Sequence, residues 1–292
     1  MVGGRGRVSH TRTRNGQVAG DGIDHSMRVT RVSVPVETRA LTGQTNAYVL
    51  GSDPALLVDP AARSDRLDAL AAERGVGHVA VTHHHPDHVG AVAGYAEAHD
   101  ATVWARTGRA DAFETASGVE PDRAFAEGSR IETGEGRVRV VDTPGHAPEH
   151  VAFAADGSDD GNSAFVCGDL AVAEGSVVVG APGGDMRAYL SSLRRVHAMA
   201  PDRLLPGHGS AVDGAAVRDT TARLIAHRLD REGRVREAVE DGAETVSDIT
   251  DAAYEKDLSG VRDLAEATVR AHLEKLAVER SVRWDGERAR PA

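Results

Sequence analysis

The chain has 292 residues, of which 40% are hydrophobic, so it is long enough for one large domain and a smaller one. Its formal net charge of −11 disfavours strong non-specific binding to nucleic acid. No apolar run approaches the roughly 20 residues that span a bilayer, and no signal peptide with an apolar segment is visible, so we expect a cytoplasmic protein without a membrane anchor.

The rare residue types point to a compartment and a habitat. The single cysteine, Cys167, excludes an internal disulfide and fits a reducing compartment. It ends an apolar run, so we expect a buried thiol. Lys256 and Lys275 are the only lysines. An acidic, lysine-poor composition is typical of halophilic proteins, and a GC-rich genome is the alternative explanation.

The first part of the chain divides into an irregular segment, three predicted strands and a predicted helix. Residues 1–26 are rich in Gly, Arg, Thr and Asp without periodicity, which predicts a disordered extension. The alternation from Arg28 to Val34 predicts a half-buried strand, so we expect Met27 to be the natural start. Residues 46–50 and 55–60 then form a predicted hairpin, and residues 63–74 form a predicted helix.

A histidine-rich loop follows the predicted strand of residues 78–81. It runs Thr-His-His-His-Pro-Asp-His-Val-Gly from Thr82, and a helix is predicted from residue 89 to 99. His83 and His85 point the same way in an extended segment, whereas Asp87 and His88 follow where the chain turns. These residues can therefore face two points, as in sites whose two metal ions lie roughly 3.5–4 Å apart. A polar loop that binds metal loosely is the alternative.

Three later apolar runs also end beside a glycine and a good metal ligand. His146 follows the strand of residues 138–141, Asp169 follows residues 164–166, and His208 follows Leu204 and Leu205. This recurrence favours a built metal centre over a chance cluster of histidines.

These motifs resemble the metallo-β-lactamase fold superfamily. Its signature His-x-His-x-Asp-His is matched by the residues His83, His85, Asp87 and His88. The later ligand positions of the family are filled by His146, Asp169 and His208. The resemblance covers most of the chain and implies an α/β fold, namely an αββα sandwich over residues 27–212.

The resemblance also implies a two-metal centre. The first metal would be held by His83, His85 and His146. The second would be held by Asp87, His88 and His208, with Asp169 bridging. Because both aspartates are present, the site is similar to the glyoxalase II branch, and we do not expect a β-lactam substrate. Zinc is the expected metal, with iron or manganese as alternatives.

The expected reaction is hydrolysis of a thioester or ester, as in hydroxyacylglutathione hydrolases. Two cations sharing a water lower its pKa from 15.7 toward ~7, so a bridging hydroxide can attack a carbonyl. Asp87 is the candidate catalytic residue that steers the proton of that water. The basic positions that bind glutathione in that family cannot be matched here, so another thiol is an open alternative.

Several further residues receive predictions. Resemblance places Asp59 where a carboxylate orients the ligating imidazoles, and a turn-forming Asp–Pro pair is the equal alternative. Tyr189, on a helix predicted over residues 185–200, is a candidate substrate contact, although a core tyrosine is the favoured interpretation. We interpret His84 as a loop residue close to the ligands, and His150 as a strand residue.

The chain beyond residue 212 changes character. We predict helices over residues 215–232, 235–239, 249–254 and 261–280, the last with an apolar stripe, followed by a strand at residues 281–284. Residues 213–292 thus resemble the linker helix and winged-helix tail of the lactamase-beta-like subgroup, which includes an endoribonuclease. Cleavage of single-stranded RNA is therefore the alternative function.

Charge disfavours a nucleic-acid role for this tail. From Glu232 onward there are fifteen acidic and ten basic residues, so a structural or homodimerising tail is the favoured interpretation. A DNA-binding regulator is disfavoured by the seven filled ligand positions. A persulfide dioxygenase is disfavoured because it uses a mononuclear iron.

Overall fold

Two sheets stack face to face in the computed structural model, which describes Met1 and residues 27–40, 42–155 and 163–292. Within those residues each sheet has six strands. The first contains, in spatial order, β1 (Val29–Pro35), β2 (Gln44–Leu50), β3 (Ala55–Val58), β4 (Val76–Ala80), β5 (Thr102–Arg106) and β6 (Arg123–Phe125). The second contains β7 (Arg130–Thr133), β8 (Gly136–Asp142), β9 (Val151–Ala155), β10 (Ala164–Gly168), β11 (Arg203–Pro206) and β12 (Val212–Asp213).

Alternating side chains separate the cores on the two faces of the first sheet. In β2, Ala47 and Val49 pack under the helices α1 (Asp65–Arg74), α3 (Val92–His99) and α4 (Ala110–Ser117). Tyr48 and Leu50 point the other way and pack against the second sheet, as a period of two requires. The first sheet therefore has helices on one face and the second sheet on the other.

The second sheet repeats this arrangement in reverse. Val166 of β10 packs between the sheets, whereas Phe165 and Cys167 pack against α5 (Met186–Met199) and α6 (Ala216–Glu240). The layers are thus helices, sheet, sheet and helices. This confirms the αββα sandwich predicted from the sequence.

The strand directions gather five loops at one end of the sandwich. β3 runs parallel to β4, and β10 runs parallel to β11. β8 also runs with β10, because both are antiparallel to β9. Two main-chain hydrogen bonds between described residues join the sheets at this end, from Asn46 N–H to the Gly207 carbonyl and from Val151 N–H to the Thr82 carbonyl. Residues that follow these strands are therefore held close together.

The C-terminal part consists of α6, α7 (Val246–Ala253), α8 (Arg262–Val278) and a hairpin of β13 (Val282–Trp284) and β14 (Ala289–Pro291). The predicted apolar stripe of α8 is confirmed, because Val269, Leu273 and Leu276 pack in the core of this part. The winged-helix identity of residues 213–292 and a domain boundary after residue 212 stay predictions.

Two predictions of local structure are wrong. The predicted helices at 215–232 and 235–239 are one helix, because packing of Val235 and Val239 outweighs the ~1 kcal/mol cost of Gly233. The predicted helix 89–99 is split into α2 (Pro86–Val89) and α3, because Ala91 N–H donates to the carbonyl of Pro60.

Two expectations concern the chain ends and membranes. The predicted extension of residues 1–26 lies outside the described residues except for Met1. Met27 is buried between the sheets. Among the helices of the described chain, none combines the length and apolar character needed to cross a membrane.

The core between the sheets gives a stability prediction. Phe153 is fully buried there and meets the Phe125 ring edge-on at 5.9 Å. Phe153→Ala should lower the free energy of unfolding by about 3–5 kcal/mol, because it removes buried surface and leaves a cavity. Urea unfolding followed by circular dichroism measures this. The control Val278→Ala, at a site that is 62% exposed, should change it by less than about 0.5 kcal/mol. Equal effects of the two variants would contradict the assigned core.

Candidate metal centre

The seven predicted ligand side chains come together at the end of the sandwich where the five loops gather. His83 and His85 lie in the loop after β4, and Asp87 and His88 lie in the short helix α2. The other three follow β8, β10 and β11 and are His146, Asp169 and His208. Residues from both sheets therefore build one cluster.

Three groups of three ligand atoms can be recognised among the described residues of this cluster. His83, His85 and His146 form the first group and Asp87, His88 and His208 form the second, with ligand atoms in each group within 4.8 Å of one another. The third group, formed by His83, His88 and Asp169, shares one histidine with each of the other two. In the first group, His85 Nδ1 lies 3.0 Å from His83 Nε2 and 2.9 Å from His146 Nε2. The first and second groups are the two sets that the resemblance implied.

The Asp169 carboxylate lies between the two groups. Its Oδ2 is 3.6 Å from His146 Nε2 and 3.5 Å from His208 Nε2, while Oδ1 is 3.7 Å from His88 Nε2. One carboxylate thus reaches one imidazole of the first group and two of the second. This is the position that a bridging ligand requires.

Hydrogen bonds on the outer side of the cluster fix the imidazole tautomers. His146 Nδ1–H donates to the Val178 carbonyl at 2.7 Å, and His208 Nδ1–H donates to the Gln44 carbonyl at 2.8 Å. His88 Nδ1 faces Asp59 Oδ2 at 3.0 Å. In each ring the proton on Nδ1 turns the Nε2 lone pair toward the cluster, which is the form that binds a metal.

Asp59 supports two ligands at once. Its Oδ1 accepts from Thr82 N–H at 2.6 Å, and its Oδ2 accepts from Thr82 Oγ1–H at 2.8 Å. Because that hydroxyl donates to Asp59, it accepts from His83 Nδ1 at 3.0 Å. Asp59 thus holds His88 directly and His83 through Thr82. The structure therefore favours the orienting role of Asp59 over a mere Asp–Pro turn.

Burial and charge divide the histidines into two kinds. Burial, together with neighbouring imidazoles, lowers the pKa of His83 well below its usual range and that of His85 to about 4. Burial also opposes charge on His88, but Asp59 and Asp169 outweigh it and raise the pKa of His88 to about 9. The carboxylates thus attract positive charge, which a proton or a metal cation can supply.

Asp169 is held as a carboxylate. Its burial would raise its pKa, but the hydrogen bond from His208 and the charges of His88 and His146 lower it well below the usual range. An ionised carboxylate with two oxygens facing imidazoles is a suitable metal ligand.

Two orphaned atoms test whether this cluster fits metal ions. In the part of the chain that the structure describes, His88 Nε2 and Asp169 Oδ1 are buried without a hydrogen-bond partner. An unsatisfied buried polar atom costs about 1–3 kcal/mol, and a cation bound by both atoms removes that cost. The neighbouring Gly207 leaves them room, because a Cβ there would lie 2.6 Å from Asp169 Oδ1. The N and O donors fit zinc, iron or manganese.

His150 is a supporting residue that the sequence interpretation missed. It was predicted in a strand, but it lies one residue before β9 and is fully buried. Its Nε2 accepts from Asp169 N–H at 3.1 Å, and its Nδ1 lies 2.9 Å from Thr143 Oγ1. Burial lowers its pKa to about 3, so the neutral ring holds the backbone of Asp169. Its spacing of four residues from His146 was the available signal.

Three further residues that received predictions from the sequence are His84, Cys167 and Tyr189. His84 is in the loop as predicted, and its N–H donates to Glu149 Oε1. Cys167 is a buried thiol as predicted, and burial raises its pKa to about 12. Tyr189 is wrong as a substrate contact, because it is fully buried and its hydroxyl donates to the Leu170 carbonyl. It is the core tyrosine of the favoured interpretation.

A cleft of about 1060 Å³ opens onto the candidate metal centre. Five of the seven predicted ligands line it. Three other regions form its walls, namely residues 37–40 and 42, residues 172–178 together with Gly180, Gly183 and Gly184, and two residues of α8. The α8 residues are Leu264 and Ala267. The C-terminal part therefore borders the cleft, which goes beyond the structural or dimerising tail expected from the sequence.

The molecule is an αββα protein with a side-chain cluster that fits metal ions, and comparison gives its family. A family model described as the metallo-beta-lactamase superfamily matches residues 40–208, so the chain belongs to this superfamily. This confirms the resemblance that the ligand motifs indicated.

Two relatives illustrate the range of similarity. A beta-lactamase-like protein 2 homolog of Drosophila melanogaster is 28% identical over 256 residues, covering 82% of this chain and 84% of the fly protein. A hydroxyacylglutathione hydrolase of Methylococcus capsulatus is 40% identical over 127 residues, covering 43% of this chain and 46% of that hydrolase.

Solved structures support the fold. A metallo-beta-lactamase family protein from Thermus thermophilus superposes with a TM-score of 0.70 at 25% identity, covering 90% of this chain and 98% of that one. The protein TTHA1623 in a di-iron-bound form has a TM-score of 0.50 at 30% identity, covering 65% of this chain and 98% of that one.

The support from Asp59 can be tested by Asp59→Asn. The backbone at residue 59 has a φ of 53°, which asparagine tolerates, so the change mainly removes charge and one acceptor. We expect metal affinity to fall by about 10–100-fold, because His83 and His88 lose their orienting carboxylate. Competition with a chromophoric chelator measures the affinity.

The matched control for this change is Asp53→Asn. Asp53 also has a positive φ, of 37°, and also precedes a proline, but it lies outside the cluster. Its metal affinity should equal that of the wild type. Equal affinities for all three proteins would show that Asp59 serves the turn alone.

Proposed function

We propose that this protein is a dinuclear metal-dependent hydrolase that acts on an acyl thioester or ester. The observation that supports it most directly is the position of the Asp169 carboxylate between two complete sets of three ligand atoms. Zinc is the metal we propose, with iron or manganese as alternatives. When bound, two such ions would supply Lewis acidity and lower the pKa of a water that they share.

The chain's own residues would hold and orient the reactants. His83, His85 and His146 would hold one ion and Asp87, His88 and His208 the other, with Asp169 shared. Asp87 is the residue we propose to take the proton of the attacking water. Thr38 Oγ1–H donates to Asp87 Oδ2, and so fixes the carboxylate at the mouth of the cleft.

The cleft favours an acyl substrate over RNA. A polyanion is bound through several lysines or arginines. Among the described residues that line this cleft, Arg39 is the single basic side chain apart from the histidines, and it is paired with Asp263 at 2.6 Å. Glu37 and Glu174 also line the cleft and would repel phosphates. Similarity to a hydroxyacylglutathione hydrolase adds support for thioester hydrolysis.

The shared carboxylate gives a direct test. Asp169→Ala should lose metal and thioester hydrolysis together, with kcat/KM falling by at least about 100-fold, because both ligand sets lose a member. Elemental analysis and a thiol-release assay on one sample measure both effects. The control Asp251→Ala removes an exposed carboxylate of α7 and should leave both unchanged. An Asp169→Ala protein with wild-type metal content and turnover would contradict the dinuclear centre.

A panel of substrates tests the reaction class. Metal-loaded protein at fixed salt should release thiol from acyl thioesters and leave single-stranded RNA and β-lactams intact. Cleavage of RNA without thioester or ester hydrolysis would overturn the proposal and make the endonuclease alternative correct.

A further inference from the structure

The helix α8 carries two apolar faces, of which one belongs to the cleft. Val269, Leu273 and Leu276 pack in the C-terminal core. Leu264 and Ala267, three residues apart and therefore neighbours on the helix surface, line the cleft instead and are half-buried. The second face thus meets the space in front of the candidate metal centre.

Residues 172–184, which we call the wall segment, pack directly on α8. The Ala181 N–H donates to the Ala267 carbonyl at 3.1 Å. A Cβ on Gly180 would lie 2.8 Å from the Ala267 Cβ, so the backbones approach as closely as glycine allows. Leu264 and Ala267 therefore line the cleft at the place where α8 meets the wall segment.

The helix α6 fixes the wall segment from behind. Arg223 donates to the carbonyls of Val172, Ala173 and Gly175. Arg228 donates to the carbonyl of Val177. The next carbonyl, that of Val178, accepts from His146. One segment thus forms a wall of the cleft and also orients His146. The position of this wall is therefore fixed relative to the candidate metal centre.

The lining chemistry suits an uncharged chain. Apart from the cluster, most of the uncharged lining consists of small or aliphatic side chains and glycines, the side chains being Ala40, Pro86, Val172, Ala173, Val177, Val178, Leu264 and Ala267. Four hydroxyl side chains, those of Thr38, Thr42, Ser176 and Ser210, also line it. Its charged residues Glu37 and Glu174 are acidic, and Arg39 is engaged with Asp263. Each methylene buried here contributes about fourfold in binding, which corresponds to about 0.8 kcal/mol.

We propose that the cleft between α8 and the wall segment binds an uncharged aliphatic acyl chain, and that Leu264 and Ala267 limit the length of that chain. This rests on the proposed function, which places the thioester carbonyl at the metal centre. We expect any negative charges of the thiol carrier to stay in solvent, because away from the metal centre the described lining carries two acidic side chains, Glu37 and Glu174, and one arginine, Arg39, which pairs with Asp263.

Chain-length profiles of hydrolysis give the first test. Metal-loaded full-length protein is assayed with N-acetylcysteamine thioesters from acetyl to dodecanoyl, a series in which the thiol is neutral and constant. For the wild type, kcat/KM should rise about fourfold per methylene up to a limiting length. Leu264→Phe should shorten that length and Leu264→Ala should lengthen it, each by about two methylenes. The control Val278→Phe, at the exposed end of α8, should keep the wild-type profile.

A binding measurement provides the second test without requiring turnover. The neutral dye N-phenyl-1-naphthylamine is displaced by straight-chain alcohols, with metal-free and metal-loaded protein. Affinity should rise about fourfold per methylene and level off at the same limiting length. The variants should shift that length as they do in hydrolysis. If Leu264→Phe fails to fold, Leu264→Ala decides the result.

The outcomes separate this inference from the proposed function. If no thioester of any length is hydrolysed, the proposed function fails, and the alcohol series still decides the inference. If acetyl and dodecanoyl thioesters are hydrolysed equally well, or the Leu264 variants keep the wild-type lengths, the inference is overturned while the hydrolase proposal stands. Failure of all alcohols to displace the dye also overturns it.

Discussion

The structure depends on holding several imidazoles and carboxylates close together at one end of the sandwich. The ligand nitrogens of His85 and His146 lie 2.9 Å apart, and Asp169 reaches imidazoles of both groups. Lone pairs that face one another at such distances are stable only when a proton or a cation lies between them. The surrounding loops therefore serve to hold these groups in place against their mutual repulsion.

That task explains the hydrogen bonds around the cluster. Asp59 holds His88 and, through Thr82, His83, while His150 holds the backbone of Asp169. The main-chain carbonyls of Gln44 and Val178 hold His208 and His146. Both sheets contribute ligand residues, and both contribute the groups that hydrogen-bond to those ligands. The packing of the two sheets against each other therefore helps to position the ligands.

Much of the fold and of the cluster could be predicted from the sequence, because the informative patterns are local. The apolar strands that end beside metal ligands indicated a metal centre, and the resemblance of these motifs to the metallo-β-lactamase superfamily implied the sandwich and the seven ligand positions. The supporting contacts could not be predicted, because His150, Thr82 and the carbonyl of Val178 acquire their roles only when distant loops meet. The continuous α6 was missed for a related reason, since packing of Val235 and Val239 overrides the glycine at residue 233.

The C-terminal helices show the same limit. The apolar stripe of Val269, Leu273 and Leu276 could be predicted from the sequence. The role of the second face of α8 could not, because it depends on the contact of this helix with the distant wall segment. Arg223 and Arg228 of α6 donate to main-chain carbonyls of that segment, so the C-terminal part is bound to the wall of the cleft. The C-terminal part therefore helps to form the cleft that opens onto the candidate metal centre.

The central claim is that the cluster holds two metal ions and that both are needed for hydrolysis. The most direct measurement is a titration of metal-free protein with zinc, in which bound metal per chain and hydrolysis of an octanoyl thioester are followed on the same samples. Binding is expected to saturate at two ions per chain, with activity appearing as the second ion binds. Saturation at one ion with full activity, or thioester hydrolysis by metal-free protein, would contradict the central claim.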